Sequence, residues 1–508
     1  IHSIVFGGFS AEALADRIAD ATCTVLITCN GTHRGDRPIP MKPVADEAMT
    51  NAETQMGVPV DTCIVVERIA GSEGVDCEMQ DGRDLWWDDV MADASPNSEC
   101  EVMEAEDPLF ILYTSGSTGK PKGVQHTTGG YMVYASQTHK YIFDYHDGDI
   151  YFCTADIGWV TGHSYIVYAP LFHGCTTVLY EGKPVGTPDA GAFWRVISDH
   201  KVNVLFTAPT AFRAIKREDP DGLLMKDYDL SSFRYLFLAG ERTDPDTLHW
   251  AEEKIGVPVI DHWWQTETGW AIAANCVGLH QFPVKPGSPT KAAPGWNVRI
   301  LNAENEPVKT GDIGALCVKL PLPPSSLSTL WNADDRFVES YLKEFPGHYK
   351  TEDAGYRDED GYLYIMARTD DIINVAGHRL STGGMEEVLA NHQDVAECAV
   401  IGVADDLKGQ LPVGFLVLKA GVTKDHTEIV SEVVAMVREQ IGPVAAFKQA
   451  VVVNGLPKTR SGKILRGTMQ KIADNEEYKM PATIDDPAVL DEMDEALQGI
   501  GYASAREG

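Results

Sequence analysis

The chain has 508 residues, enough for about three folded units at the usual domain size. Lys plus Arg number 42 and Asp plus Glu 75, a formal net charge of −33, so nucleic-acid phosphates would meet repulsion instead of a basic face. Apolar residues at 44% and charged ones at 23% exclude a largely disordered, collagen-like or coiled-coil chain.

The acidity reads either as plain solubility or as adaptation to high salt, the second being preferred. Ten cysteines form no CxxC pair and no Cys/His cluster. Neither a zinc site nor a disulfide framework is therefore expected, and the chain reads as a reduced, intracellular protein. No run of 18 apolar residues occurs, and no basic segment precedes an apolar one, so no membrane partner is expected. The chain opens on Ile1 and a strand-like run, from which an N-terminally incomplete chain is expected.

Residues 3–6, 24–28, 178–180, 204–207, 235–238 and 257–260 are short β-branched or apolar runs that predict buried strands. Helical patterns at 11–19 and 209–216 lie between some of them, the βαβ signature of a parallel sheet with both faces covered. A Pro- and Ser-rich break at 320–327 interrupts the pattern. Asp358-Glu359-Asp360-Gly361 before the apolar residues 362–366 predicts a tight hairpin. From about Asp370 the pattern changes to a smaller α+β unit, with helices near 384–391 and 428–441 and strands at 397–403 and 413–418. The expected fold is a large N-terminal α/β domain, residues 1–369, followed by a small α+β domain, residues 370–508.

Thr114-Ser115-Gly116-Ser117-Thr118-Gly119-Lys120-Pro121-Lys122-Gly123 follows the apolar run 109–112. Glycines let backbone amides approach an anion, hydroxyls donate further bonds, and two lysines supply charge. The bland alternative is a flexible Gly/Ser turn. It is not a Walker loop, because Thr114 and Pro121 stand where that pattern requires Gly and Ser or Thr. A P-loop switch or kinase is correspondingly disfavoured.

This loop resembles the first signature of the acyl-adenylate-forming superfamily. Three further segments resemble its later motifs in the required order: Trp263-Trp264-Gln265-Thr266-Glu267-Thr268-Gly269, then residues 349–353 with 368–379, then Pro457-Lys458-Thr459-Arg460-Ser461-Gly462-Lys463. The likeness is nearest to the short-chain acetyl- and propionyl-CoA synthetases. It implies ATP, Mg²⁺ and coenzyme A, a short-chain carboxylate substrate, and a C-terminal domain that rotates on a hinge at Asp370.

The resemblance implies the following roles. Lys463 would neutralise charge on the acyl oxygens and α-phosphate, Glu267 would bind Mg²⁺, and Arg379 would be catalytic. Residues Thr114 through Lys120 and Thr266 would lie near the phosphates. Gly240, Glu241, Arg242, Asp261, His262, Trp263 and Gln265 would wall the nucleotide site, while Asp353 and Arg368 would contact ribose and phosphate. Val160, Thr161, Ala239 and Trp264 would enclose the acyl group. Arg34, Arg37, Ala208, Gly377 and Arg438 would face coenzyme A.

Relatives that prefer acetate usually carry Val where this chain has Ala239, so propionate is favoured; Thr161 matches the acetate type, so overlapping acetate activity is expected. A lysine acetyltransferase and deacetylase acting on Lys463 are expected partners. Cytoplasmic placement is expected, or the mitochondrial matrix in a eukaryote. An acetate-specific enzyme, an adenylating enzyme serving a carrier protein, and a non-catalytic nucleotide binder remain alternatives.

Overall fold

The computed structural model describes every residue except 8, 35–36, 70–74, 76, 115–120, 369–371, 376–377, 406, 420, 460–463, 479, 482–483 and 504–508, with backbone only at 34, 37, 367, 372, 374, 378, 379 and 444. A seven-stranded sheet forms the centre. Strands Thr176–Val178, Ile150–Cys153, Val204–Thr207, Tyr235–Ala239 and Val259–Trp263 run parallel, and Ala273–Ala274 and Lys291–Ala292 extend the edge antiparallel.

Val204–Thr207 and Val259–Trp263 are buried at every position, as strands covered on both faces must be. Their side chains alternate between two cores. Phe206, Phe237, Ala239 and Ile260 pack on one side, and Leu205, Leu236, Leu238 and Val259 on the other. Helix Pro209–Glu218 starts on a proline, whose missing N–H costs nothing in the first turn, and buries Pro209, Phe212 and Ile215 along one face. Helix Pro245–Ile255 is capped by the Asp244 carboxylate, which accepts the Thr247 amide, and ends on Gly256 at φ 76°.

Three other sheets flank this core. Strands Val25–Cys29, Thr62–Val66 and Asp84–Trp86 are parallel, and helices Ala11–Ala21 and Lys42–Met56 share a core with them. Pro108–Thr114 and Lys122–Thr127 pair antiparallel and so bracket the predicted phosphate loop. Val298–Leu301, Gly314–Lys319, His348–Arg357 and Leu363–Arg368 form a four-stranded antiparallel sheet. Its last hairpin is the one predicted from Asp358–Gly361, and its register sets Asp353 directly opposite Arg368.

The C-terminal part has its own five-stranded sheet, His378–Ser381, Ile372–Val375, Gly409–Leu418, Val395–Asp405 and Gln449–Val452. Helices Thr382–Ala390 and His426–Gln440 pack on it around Met385, Leu389, Ile429 and Val433. Contacts with the larger part include the Arg242–Glu387 ion pair at 2.8 Å.

Residues 3–6 are not a strand. Phe6 packs on Trp159 with ring centroids 5.6 Å apart, and the nearby ladder contact is an isolated bridge from His2 to Phe110. The strand expected at 178–180 instead ends at Val178. Four histidines, His126, His139, His163 and His262, are buried in the large part. Burial lowers the pKa of His126 to about 4 and those of His139 and His262 to about 3. All ten cysteines are free thiols. No helix among the described residues is long and apolar enough to cross a membrane.

Candidate active site

Parallel strands deliver their following residues to one edge, and in open α/β sheets that carboxyl edge is where ligands bind. Val204–Thr207 leads to Ala208, the N-cap of helix Pro209–Glu218. Tyr235–Ala239 leads to Gly240, Glu241 and Arg242, and Val259–Trp263 leads to Trp264, Gln265, Thr266 and Glu267. The register pairs Ala239 with His262 and Leu238 with Asp261, so the two motif segments leave the sheet side by side. Gly240 sits at φ 101°, a conformation that only glycine adopts without strain.

The ribose candidate is firmly held. The Trp263 indole N–H donates to Asp353 Oδ2 at 2.9 Å, and Gln265 Nε2 donates to the same oxygen at 2.7 Å. The Gln265 amide is itself fixed, since Nε2 also donates to the Thr351 carbonyl at 2.5 Å and Oε1 accepts the Tyr349 hydroxyl at 3.1 Å. Arg368, opposite Asp353 in the register, donates to Glu352. Glu352 stands at φ 61°, left-handed backbone that costs a non-glycine residue free energy, and its carboxylate also lies 3.5 Å from Lys122 Nζ.

Asp261 is buried, accepts the Thr243 hydroxyl on Oδ1, and leaves Oδ2 without a partner in the protein. Burial pushes its pKa up to about 7, partly opposed by the Thr243 hydroxyl and the charge of Arg242. A buried acceptor with a spare oxygen suits a ligand that brings N–H donors. The unfolded chain releases this proton near pH 3.8, whereas the folded state keeps it to about 7. Stability is therefore lost as pH rises through that window, by up to about 4 kcal/mol. Asp261→Asn is expected to raise the melting temperature at pH 8 and to leave it unchanged at pH 4, read by thermal unfolding at both values.

Glu241 pairs with Arg213, and Arg242 reaches Glu387. Both wall candidates are thus engaged by other protein groups in this arrangement. His262 is buried, with Nε2 2.8 Å from the Tyr165 hydroxyl. The Thr114 hydroxyl, at the mouth of the phosphate loop, is buried without a hydrogen-bond partner among the described residues. The Thr266 carbonyl is bonded by His126 at 2.7 Å.

Glu267 accepts the Tyr341 hydroxyl at 2.7 Å. No group of three His, Cys, Asp or Glu side chains among the described residues could cage a metal. Mg²⁺ does not need one, because it typically takes one or two carboxylates together with substrate phosphates and water. A half-buried Glu267 beside the phosphate-loop strand fits that requirement.

The acyl candidates converge. Val160 and Ala239 belong to one apolar cluster, and Trp264 packs against it with its ring 4.8 Å from Tyr165 and 6.4 Å from Phe206. Gly162 lets the Val160–Gly162 turn lie against the preceding chain, since a Cβ there would come within 2.3 Å of Ile157 Cα. Thr161, in the same turn, is half-buried.

The remaining candidates are not brought to this edge by anything described. Residues Ser115 through Lys120, Asp370, Gly377 and Lys463 lie outside the described residues. Arg34 and Arg37 pair in the backbone of one hairpin, and Arg379 pairs with Asn374 in another; their side chains are not described. Arg438 is exposed in the last turn of helix His426–Gln440. Sequence reasoning gave no role to Tyr341, Glu352, Tyr349 or Tyr165, which all bond or pack against motif residues. Only the apolar spacing of Phe337 and Tyr341 hinted at an inward helix face.

Residues 1–323 match the pattern described as AMP-binding enzyme, and residues 384–463 match AMP-binding enzyme C-terminal domain. The chain is 47% identical over 499 residues to a mouse protein named acyl-CoA synthetase short-chain family member 3, mitochondrial, covering 98% of this chain and 72% of that one. It is 44% identical over 498 residues to the acetyl-coenzyme A synthetase of Magnetococcus marinus, covering 97% and 75%. In fold it resembles the acetoacetyl-CoA synthetase of Streptomyces lividans, with a TM-score of 0.83, 23% identity, and coverage of 97% and 73%. With both patterns matched in order and such identity along nearly its whole length, the chain belongs to the AMP-binding enzyme family.

Proposed function

We propose that this protein ligates a short-chain carboxylate, propionate before acetate, to coenzyme A at the expense of ATP. A carboxylate oxygen attacks the α-phosphorus of ATP, pyrophosphate leaves, and an acyl-AMP remains. The thiol sulfur of coenzyme A then attacks the acyl carbon, the C–O bond to phosphate breaks, and AMP leaves. Neither half requires a nucleophile from the protein, so the work of the site is positioning and neutralisation of charge. The relatives' names, acyl-CoA synthetase and acetyl-coenzyme A synthetase, support this reaction.

One observation supports the reading: Trp264 packs against the apolar cluster that holds Val160 and Ala239, and it follows directly on Trp263 of the anchored Asp353–Gln265–Trp263 network. Asp353 accepts ribose hydroxyls, and Arg368 and the loop from Thr114 to Lys120 meet phosphate. Mg²⁺, held by Glu267 and the phosphates, supplies charge neutralisation. Gly240, Asp261, His262 and Thr266 complete the nucleotide walls, and Arg242 joins them on release from Glu387. Arg34, Arg37, Ala208, Gly377 and Arg438 face coenzyme A once residues 370–508 turn about Asp370, and Arg379 then enters the site. Acetylation of Lys463 by a lysine acetyltransferase removes the charge that adenylation needs, and a deacetylase restores it. The ten free thiols suit a reducing compartment, the cytoplasm or, in a eukaryote, the mitochondrial matrix.

Pyrophosphate release measured against acetate, propionate and butyrate, with and without coenzyme A, tests the assignment. Propionate is expected to give the highest kcat/KM, with acetate lower by about 10- to 200-fold, the worth of one methylene in an apolar pocket. Ala239→Val adds bulk at the pocket wall and is expected to move that ratio toward acetate by the same order. Highest activity with butyrate, or no release with any of the three, overturns the reading.

A further inference from the structure

Tyr341 ends helix Asp334–Tyr341 and is 1% exposed. Its hydroxyl donates to Glu267 at 2.7 Å and accepts Lys122 Nζ at 3.2 Å, while the same ammonium lies 4.5 Å from the phenol ring centroid. The ring stacks on Tyr349 at 5.4 Å and 21°, and Tyr349 reaches Asp353 through Gln265. Arg336, on the same helix, donates to the Pro121 carbonyl at 2.8 Å, beside the phosphate loop. One short helix therefore ties together a phosphate-loop lysine, a motif carboxylate and the residue proposed for ribose.

A hydroxyl between an ammonium and a carboxylate has a fixed direction: it accepts from the first and donates to the second. It thereby fixes the rotamer of Glu267 and polarises the bond through Lys122.

We propose that Tyr341 is a positioning residue for adenylation, aiming the Glu267 carboxylate at Mg²⁺ and registering it against Lys122. The proposal rests on the reading of Glu267 as the metal ligand. Second partners of this kind usually affect metal affinity by 10- to 100-fold.

Tyr341→Phe keeps the ring and its stacking and removes only the hydroxyl. The expected result is a rise of about 10-fold in the Mg²⁺ concentration that half-saturates pyrophosphate release. KM for the carboxylate and thioester formation from supplied acyl-AMP should stay unchanged. Mn²⁺ binding in the presence of a non-hydrolysable ATP analogue, followed by electron paramagnetic resonance, should weaken in parallel. A lower kcat with both metal curves unmoved overturns the proposal.

Glu267→Gln is measured alongside. If it leaves metal binding untouched, the reading of Glu267 itself fails; if it weakens metal binding and Tyr341→Phe does not, only the role of Tyr341 fails. Should Tyr341→Phe not fold, 4-fluorophenylalanine at the same position, which fills the space of the hydroxyl but cannot donate, replaces it. An unchanged metal constant there overturns the proposal equally.

Discussion

Lys463→Ala is expected to slow acyl-AMP formation by about a hundred- to a thousand-fold while leaving thioester formation from supplied acyl-AMP near the native rate. Charge accumulates on the phosphoryl oxygens as the carboxylate attacks, and a placed ammonium neutralises it where water is excluded. Removing one such group typically costs about 3–4 kcal/mol of barrier. In the second half-reaction the phosphate is the leaving side of a mixed anhydride already made, so the same ammonium is not required. Isotope exchange between pyrophosphate and ATP reads the first step, and release of AMP from supplied acyl-AMP reads the second. Equal loss in both would show that Lys463 serves the fold or the coenzyme instead.

Trp264→Gly carries the other large effect. The indole packs on Tyr165 and lies edge-on to Phe206 and His262, so its removal leaves a slot beside these rings in the apolar cluster. Activity with propionate is expected to fall, because the short acid loses its contacts. Activity with longer straight-chain acids is expected to appear, each methylene contributing about 1–3 kcal/mol of discrimination. The check is kcat/KM across a homologous series of acids. A variant that loses propionate and gains nothing longer would place the floor of the pocket elsewhere.

The parallel core was legible because strands buried on both faces are mostly apolar, as 204–206 and 236–238 are. The motif residues were legible because their chemistry demands particular side chains in short runs. Of the antiparallel sheet only the last hairpin was: His348–Arg357 mixes charged, polar and apolar residues and gives no continuous run to find. Residues 3–6 misled for the opposite reason. Ile4 and Val5 look like a strand, but the aromatic contact of Phe6 with Trp159 decides the path. The role of Tyr341 was hidden because its two partners, Lys122 and Glu267, lie 219 and 74 residues away. Contacts between distant segments leave no local spacing to read. Arg368 pairs with Glu352 of the 349–353 segment, a contact between neighbouring strands that spacing alone does not show.

The uncharged imidazoles sealed inside the larger part give the molecule an acid fuse. Each of His126, His139 and His262 would take up a proton near pH 6.5 if the chain were open, yet is held neutral down to about 4 or 3 when folded. Below pH 6.5 the open chain binds protons that the closed one refuses, so acidification draws the equilibrium toward opening. Over the lower part of the same range the chain, with 75 Asp and Glu residues, sheds mutual repulsion as its exposed carboxylates are neutralised. The two trends oppose each other. The lower pH limit of this fold is therefore written in three rings at its centre as much as in the charge spread over its exterior.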